Sequence, residues 1–460
     1  MTVEKQFRQL PSVDKVLSDE RLKSLEATYP HALLTNLVRQ RLENARRAIV
    51  SGGAPPSLED IVSSVVRQAE SLESPTLRPV INATGVLLHT NLGRAPLSRE
   101  AIATMEAASR GYSNLELDLE SGKRGSRQVH VEPLLCQLTG AEAALVVNNN
   151  ASAVLLGLTA LARRKEVVVS RGEAVEIGDN FRIPDVMRQS GAKLIEVGTT
   201  NCTYARDYEQ AVTPQTVALI RVHSSNFQVI GFTNRVTLEE LVAVARRANL
   251  PVLDDLGSGC FLDTTAFGLA PEPMVPQSVA AGAGLVFFSG DKLVGGPQAG
   301  IIVGKSEYVE KLRKHPLLRA VRPDKIRIAG LAATLIHYLK GEATRKIPVW
   351  RMIATPLEEI SRRAESWAEA LGGQAKIVEG ESMVGGGSLP GSTLPTRLVA
   401  IGGGGKRDPK RVERLSQRLR SHKVPITGRV SEDFLLLDPR SVLPEEDEIV
   451  LQALRELDVG

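Results

Sequence analysis

Three short stretches hold residues whose types and spacing suit chemistry on an amino group. The first reads Phe287-Phe288-Ser289-Gly290-Asp291-Lys292-Leu293-Val294-Gly295-Gly296-Pro297. An apolar run ends in a polar turn that presents one lysine, and small residues then leave space around it. Such an amine can form an imine with an aldehyde and, once released, act as a base. Ser289, at the end of the run, is expected to bring its hydroxyl to a phosphate. The second stretch is Pro251-Val252-Leu253-Asp254-Asp255-Leu256-Gly257-Ser258-Gly259, an apolar run that closes on two acids. A carboxylate there can hold a proton on a ring nitrogen by a charge-assisted hydrogen bond. Asp254 is the expected partner, with Asp255 pointing away. The third is Val146-Val147-Asn148-Asn149-Asn150-Ala151-Ser152, leading into an apolar helix. Backbone N–H groups at a helix start bind phosphate, helped by the helix dipole, which makes Asn150, Ala151 and Ser152 candidates.

Each stretch alone has a plainer reading: a surface lysine in a glycine-rich turn, a capping acid, an ordinary Asn/Ser cap. Their order, phosphate loop then acid then lysine, is the one required by pyridoxal 5'-phosphate (PLP) enzymes of the aspartate-aminotransferase-like fold. PLP, held as a Schiff base by Lys292, is therefore the expected cofactor.

The elements that must position these residues lie between about 80 and 335. Short β-rich runs occur at 144–148, 166–170, 193–197, 217–222, 251–255, 285–289 and 300–303, with amphipathic segments between several of them. That alternation reads as a mainly parallel sheet covered on both faces. The expected fold class is α/β, a PLP-dependent transferase of fold type I. An N-terminal helical domain (1–75) precedes the PLP-binding core (76–340), and a small α+β domain (341–460) follows. In the first, Leu33, Leu34, Leu37, Val38, Leu42, Ala45 and Ile49 recur at helical spacing, and Ser57 with Asp60 forms a capping box for the next helix. In the last, helices are expected near 356–371, 407–422 and 445–457, and a strand at 434–438. The glycine-rich stretch 384–394 reads as a loop and strand edge rather than a phosphate cradle.

Composition narrows the field. Hydrophobic residues make up 42% and charged residues 24%, as in ordinary globular proteins, and no apolar run approaches the ~20 residues of a membrane span. A cytoplasmic, soluble protein is expected. The three cysteines lie far apart, and the seven histidines form no metal-ligand spacing, so no metal is expected. The net charge of +4 permits a polyanionic partner without demanding one. Basic residues gather at Arg39, Arg41, Arg46 and Arg47, in the stretch from Lys311 to Arg327, and from Lys406 to Lys423.

Longer motifs carry a resemblance. They include Leu10-Pro11-Ser12-Val13-Asp14, then Asn82-Ala83-Thr84-Gly85-Val86-Leu87-Leu88-His89-Thr90-Asn91-Leu92-Gly93-Arg94-Ala95-Pro96, and Tyr112-Ser113-Asn114-Leu115-Glu116. Ser170-Arg171-Gly172-Glu173 and Val222-His223-Ser224-Ser225-Asn226-Phe227 join them, with the acid and lysine motifs above. Together they make the chain resemble the bacterial L-seryl-tRNA(Sec) selenium transferases, or selenocysteine synthases, over essentially its whole length. The resemblance implies conversion of seryl-tRNA(Sec) to selenocysteinyl-tRNA(Sec), with selenophosphate as donor, through a PLP-bound aminoacrylyl intermediate. It implies catalysis by Lys292 and Asp254, with His223 near the cofactor ring. The anionic donor needs cations, and Arg94, Arg319 and Arg322 are the candidates because a guanidinium can make two parallel hydrogen bonds to an oxyanion. The N-terminal domain would recognise tRNA, and the assembly would be a homodecamer with shared active sites. Two alternatives stay open: a related PLP lyase acting on a small amino acid or amino sugar, and a non-catalytic tRNA-binding protein with a PLP fold.

Overall fold

The structure, a computed structural model, describes residues 3–73, 75–176, 182–402 and 409–457. Residues 74 and 406–408, at the edge of the expected first domain and the start of an expected helix, lie outside the described residues. The chain divides into two compact units, Met1–Pro79 and Val80–Gly460.

The first unit is helical. Its two longest helices, His31–Val50 and Leu58–Glu73, bury Leu34, Leu37, Val38 and Leu42 against Ile61, Val62 and Val65. Spacing of three and four residues puts these side chains on one stripe of each helix. Ser57 and Asp60 bond reciprocally at the start of the second helix, as their spacing predicts.

In chain order the strands of the second unit are β1 (Ile81–Ala83), β2 (Ala143–Val147), β3 (Glu166–Ser170), β4 (Lys193–Val197), β5 (Thr216–Val222), β6 (Val252–Gly257), β7 (Leu285–Ser289), β8 (Gly300–Gly304), β9 (Ala375–Gly385), β10 (Ser388–Gly402), β11 (Ile426–Ser431) and β12 (Phe434–Leu437). Seven of them form one sheet in the order β2-β8-β7-β6-β5-β3-β4. Only β8 runs against its neighbours, β2 and β7. Alternation along the strands feeds two cores. Val146, Val286 and Phe288 pack on one face with Leu331 and Trp350, while Leu145, Leu285 and Phe287 pack on the other with Val154 and Leu158. Both faces are covered, so the strands read as nearly continuous apolar runs.

The remaining strands form a second sheet, β1-β11-β12-β10-β9. Two differences from the sequence-based domain plan follow. β1, N-terminal to the catalytic sheet, pairs in parallel with β11 and so belongs to the C-terminal sheet. Ile347, Val349, Trp350 and Ile353, beyond the expected boundary at 340, pack in the core of the catalytic sheet. The glycine-rich stretch falls on the β9–β10 hairpin, whose turn residues Gly385, Gly386 and Gly387 all have positive φ (72°, 59° and 75°). Only glycine adopts three such conformations in succession without a Cβ penalty.

Candidate active site

The chemistry collects beyond the C-terminal ends of the parallel strands, where open α/β sheets place their ligands. Lys292, just past β7, is only 6% exposed, and its Nζ donates to the carbonyl of Gly387 at 3.4 Å. Burial holds this amine below the ordinary lysine range. The Arg94 guanidinium pushes it the same way, while Asp255, Asp291 and Glu272 oppose the shift. A depressed pKa favours the neutral amine, the form that attacks a carbonyl or takes a proton.

The two consecutive acids diverge, and the expectation for them is corrected. Asp254 has no exposed surface, and Arg221 of β5 grips both its oxygens, Nε to Oδ1 at 2.7 Å and Nη2 to Oδ2 at 2.8 Å. Asp255, on the opposite face of β6, accepts from Asn150 Nδ2 at 2.8 Å. Burial raises its carboxyl to about 6, against the Asn150 hydrogen bond and the Lys292 charge. It is Asp255, then, that faces the lysine and the helix start. Side chains alternate along a strand, and the register that sets Arg221 beside Asp254 decides which acid is spent on a structural pair. Behind that pair lies Glu173, which accepts from the backbone N–H of Val222 at 3.0 Å; burial pushes its carboxyl up to about 7.

Helix Asn150–Ala162 starts directly after β2. Its cap, Asn149, accepts from the Ser152 N–H at 2.9 Å. That leaves the N–H groups of Asn150 and Ala151 without a hydrogen bond among the described residues. Gly300 lets this turn sit against β8: a Cβ there would lie 2.0 Å from the Asn149 carbonyl oxygen. Of the three expected phosphate donors, two keep free N–H groups, and Ser152 has its own capped.

Ser289 also departs from expectation. Its hydroxyl donates to Asp291 Oδ1 at 2.6 Å, so that proton is already committed and not offered to a phosphate. Asp291 in turn accepts from Arg94 Nη1 at 3.1 Å, giving a Ser289–Asp291–Arg94 chain beside Lys292. Arg94 thus sits at the site. Arg322 sits 3.6 Å from Glu116, a carboxylate it shares with Arg124 and Arg127. Arg319 is exposed on helix Leu317–Val321. Neither Arg319 nor Arg322 bonds to Lys292, Asp255 or Asp291 within the chain. The N–H of Asn148 bonds to the carbonyl of Val321 at 2.8 Å, which ties the end of that helix to the candidate phosphate turn. His223 follows β5, donates its N–H to the Asp255 carbonyl at 2.9 Å, and points Nε2 at Glu272 Oε1, 3.5 Å away.

Sequence reasoning missed Ser225, Arg221, Asp291 and Glu272 as site residues. A Cβ built on Gly387 would meet Lys292 Nζ at 3.1 Å and Ser225 Oγ at 3.4 Å, so the hydroxyl and the amine share one small space. Asp291 adjoins Lys292, already singled out; Glu272, within Pro271-Glu272-Pro273, carries no local signal.

Comparison with known proteins adds to this geometry. The family description "L-seryl-tRNA selenium transferase" matches residues 80–443, and "Selenocysteine synthase N terminal" matches residues 7–46. The chain belongs to the L-seryl-tRNA selenium transferase family. Its relatives include the L-seryl-tRNA(Sec) selenium transferase of Geobacter sulfurreducens, 48% identical over 98% of this chain and 99% of that protein. That of Carboxydothermus hydrogenoformans is 46% identical over 100% and 99%. Among solved structures, a D-glucosaminate-6-phosphate ammonia-lyase superposes with a TM-score of 0.59 at 21% identity, covering 83% of this chain and 96% of that one; it shows the shared fold. The fold is that of type I PLP-dependent transferases, and PLP is the cofactor of the family.

The residues present fit that cofactor. A selenium transferase of this fold needs an amine of lowered pKa, an acid across from it and phosphate donors. Lys292, Asp255 and the two uncommitted N–H groups of Asn150 and Ala151 would supply these.

Proposed function

We propose that the chain converts L-seryl-tRNA(Sec) to L-selenocysteinyl-tRNA(Sec) on PLP held by Lys292, with selenophosphate as selenium donor. The observation that carries the site assignment is the Asn150–Asp255 bond, with Lys292 buried within the field of the same acid. When bound, PLP supplies an electron sink that lets the seryl Cα lose a proton and the Cβ hydroxyl depart. Asp255 holds a proton at the ring nitrogen; the pyridinium charge facing it would bring its own pKa back down. The N–H groups of Asn150 and Ala151 hold the phosphate. Lys292 Nζ, its pKa lowered by burial and Arg94, takes the Cα proton and later returns one.

The donor is an anion, and Arg94 is the cation beside the lysine. Arg319 and Arg322 complete its site from a neighbouring copy, in a homodecamer. The tRNA body is held by the N-terminal unit, where Arg39, Arg46 and Arg47 are exposed on helix His31–Val50; phosphate contacts need charge rather than a fixed side-chain geometry. No helix among the described residues is long and apolar enough to cross a membrane, and the reaction belongs in the cytoplasm.

The test is turnover of seryl-tRNA(Sec) with selenophosphate, beside free serine as control. Selenocysteinyl-tRNA(Sec) is the expected product. Turnover of free serine alone would move the chain to the lyase reading, and tRNA binding without turnover to the non-catalytic one.

A further inference from the structure

A cleft of about 270 Å³, close to the lower end of ordinary ligand pockets, is lined by His223, Ser224, Gln228, Glu272, Leu389 and Pro390. It continues from the site: Ser224 adjoins Ser225, and Leu389 lies two residues beyond Gly387, the acceptor of Lys292 Nζ. Gln228 Nε2 donates to the Pro390 carbonyl at 2.5 Å, tying the loop after β5 to the β9–β10 hairpin.

The cleft has unmet hydrogen-bonding capacity. Glu272 is only 6% exposed, yet its Oε1 has no hydrogen-bond partner among the described residues. His223 Nε2, 3.5 Å away, and Ser224 Oγ are unpartnered too. Buried polar atoms are nearly always satisfied, and a carboxylate oxygen whose nearest cation, His223 Nε2 at 3.5 Å, does not meet hydrogen-bond geometry is costly. The cleft therefore suits an occupant that brings a donor. An anion is disfavoured at this carboxylate floor, which separates the cleft from the site of the selenium donor. A sugar hydroxyl fits, as acidic side chains accept from ribose hydroxyls elsewhere. The apolar surfaces of Leu389 and Pro390 suit the face of a base, and exposed Arg235, also lining the cleft, suits a phosphate.

We infer that this cleft receives the 3'-terminal nucleoside of the seryl-tRNA, with Glu272 accepting from the ribose hydroxyl that the seryl ester leaves free. The inference rests on seryl-tRNA being the substrate. The serine whose Cα proton Lys292 takes is esterified to that ribose, so the sugar must lie within a few bonds of the reacting carbon. Glu272 is near enough for its charge to act on Lys292.

The experiment is a two-by-two comparison on the PLP-loaded, full-length protein. Wild type and Glu272→Gln are each given seryl-tRNA(Sec) ending in the ordinary ribonucleoside or in its 2'-deoxy counterpart, with serine on the 3' oxygen. In wild type the deoxy substrate should raise KM about 10-fold, the loss of one hydrogen bond to a charged group, with a much smaller fall in kcat. In Glu272→Gln, whose amide oxygen remains only as a neutral acceptor, the same change should cost clearly less, about threefold. An equal penalty in both proteins, or none in wild type, would overturn the inference. Wild-type turnover of the ordinary substrate tests the proposed function separately. If Glu272→Gln fails to fold, Glu272→Asp, which keeps the carboxylate, replaces it: its deoxy penalty should fall below that of wild type, and an unchanged penalty overturns the assignment.

Discussion

Asn150 donates to Asp255 at 2.8 Å and so joins the first turn of one helix to the end of β6. This bond sets the acid, the free N–H groups and the lysine around one space. It also separates two neighbouring aspartates by partner, since Asp254 is gripped by Arg221.

Replacing the two acids should have opposite signatures. Asp255→Asn keeps the fold and lowers turnover by at least about 100-fold, because it removes the group that holds the ring proton. Asp254→Asn leaves Arg221 buried without its partner and lowers stability by about 3 kcal/mol, with a smaller direct effect on the chemical step. Thermal unfolding and single-turnover rates measured on both variants check this. A larger rate loss in Asp254→Asn at full folding would reverse the assignment.

Arg94 lowers the Lys292 pKa. Removing its charge should raise that pKa, so the lysine stays protonated to higher pH and the acid limb of its base activity moves upward. Exchange of the seryl Cα proton with solvent deuterium, followed against pH in Arg94→Gln without any selenium donor, isolates this effect from anion binding. An acid limb that stays in place or moves down would contradict it.

Arg319 is exposed in the single chain. If a neighbouring copy brings it to the donor site, Arg319→Ala should slow selenium addition by about 10-fold or more, the loss of a charge-assisted contact, and leave cofactor absorbance unchanged. Unaltered selenium transfer would remove it from the site.

Glu173 offers a test of the support behind β5. Its carboxyl is raised to about 7 in the folded protein, against the ordinary value of 4.5, by burial. The folded state therefore binds the extra proton, and this group's contribution to stability falls as pH rises from about 5 through 7. Glu173→Gln has no such proton, so between pH 5 and pH 8 it should gain on wild type by on the order of 2–3 kcal/mol. Melting temperatures of the two proteins across that range measure it. A constant difference would mean that Glu173 is ionised throughout.

Most of the catalytic sheet was legible because its strands are buried on both faces and read as compact apolar runs, as in Leu285–Ser289. The lysine, the acid pair and the helix start were legible because each closes such a run. What was not legible depends on partners remote in sequence. Which of Asp254 and Asp255 is left free of an ion pair is set by Arg221 across the sheet. Ser289 has the right position for a phosphate donor, but Asp291 captures its hydroxyl. The β9–β10 turn reads as a loop because glycines carry no periodicity, and β1 joins its sheet only through pairing with β11. Glu272 belongs to no motif, and only the cleft reveals it.

The most direct test of the account is chemical trapping on Lys292. Borohydride treatment of the yellow, PLP-loaded protein should fix one reduced pyridoxyl group, and peptide mass mapping should place it on Lys292. Lys292→Ala should be colourless and take up none. A pyridoxyl group on another lysine, or a Lys292→Ala protein that stays yellow, would contradict it.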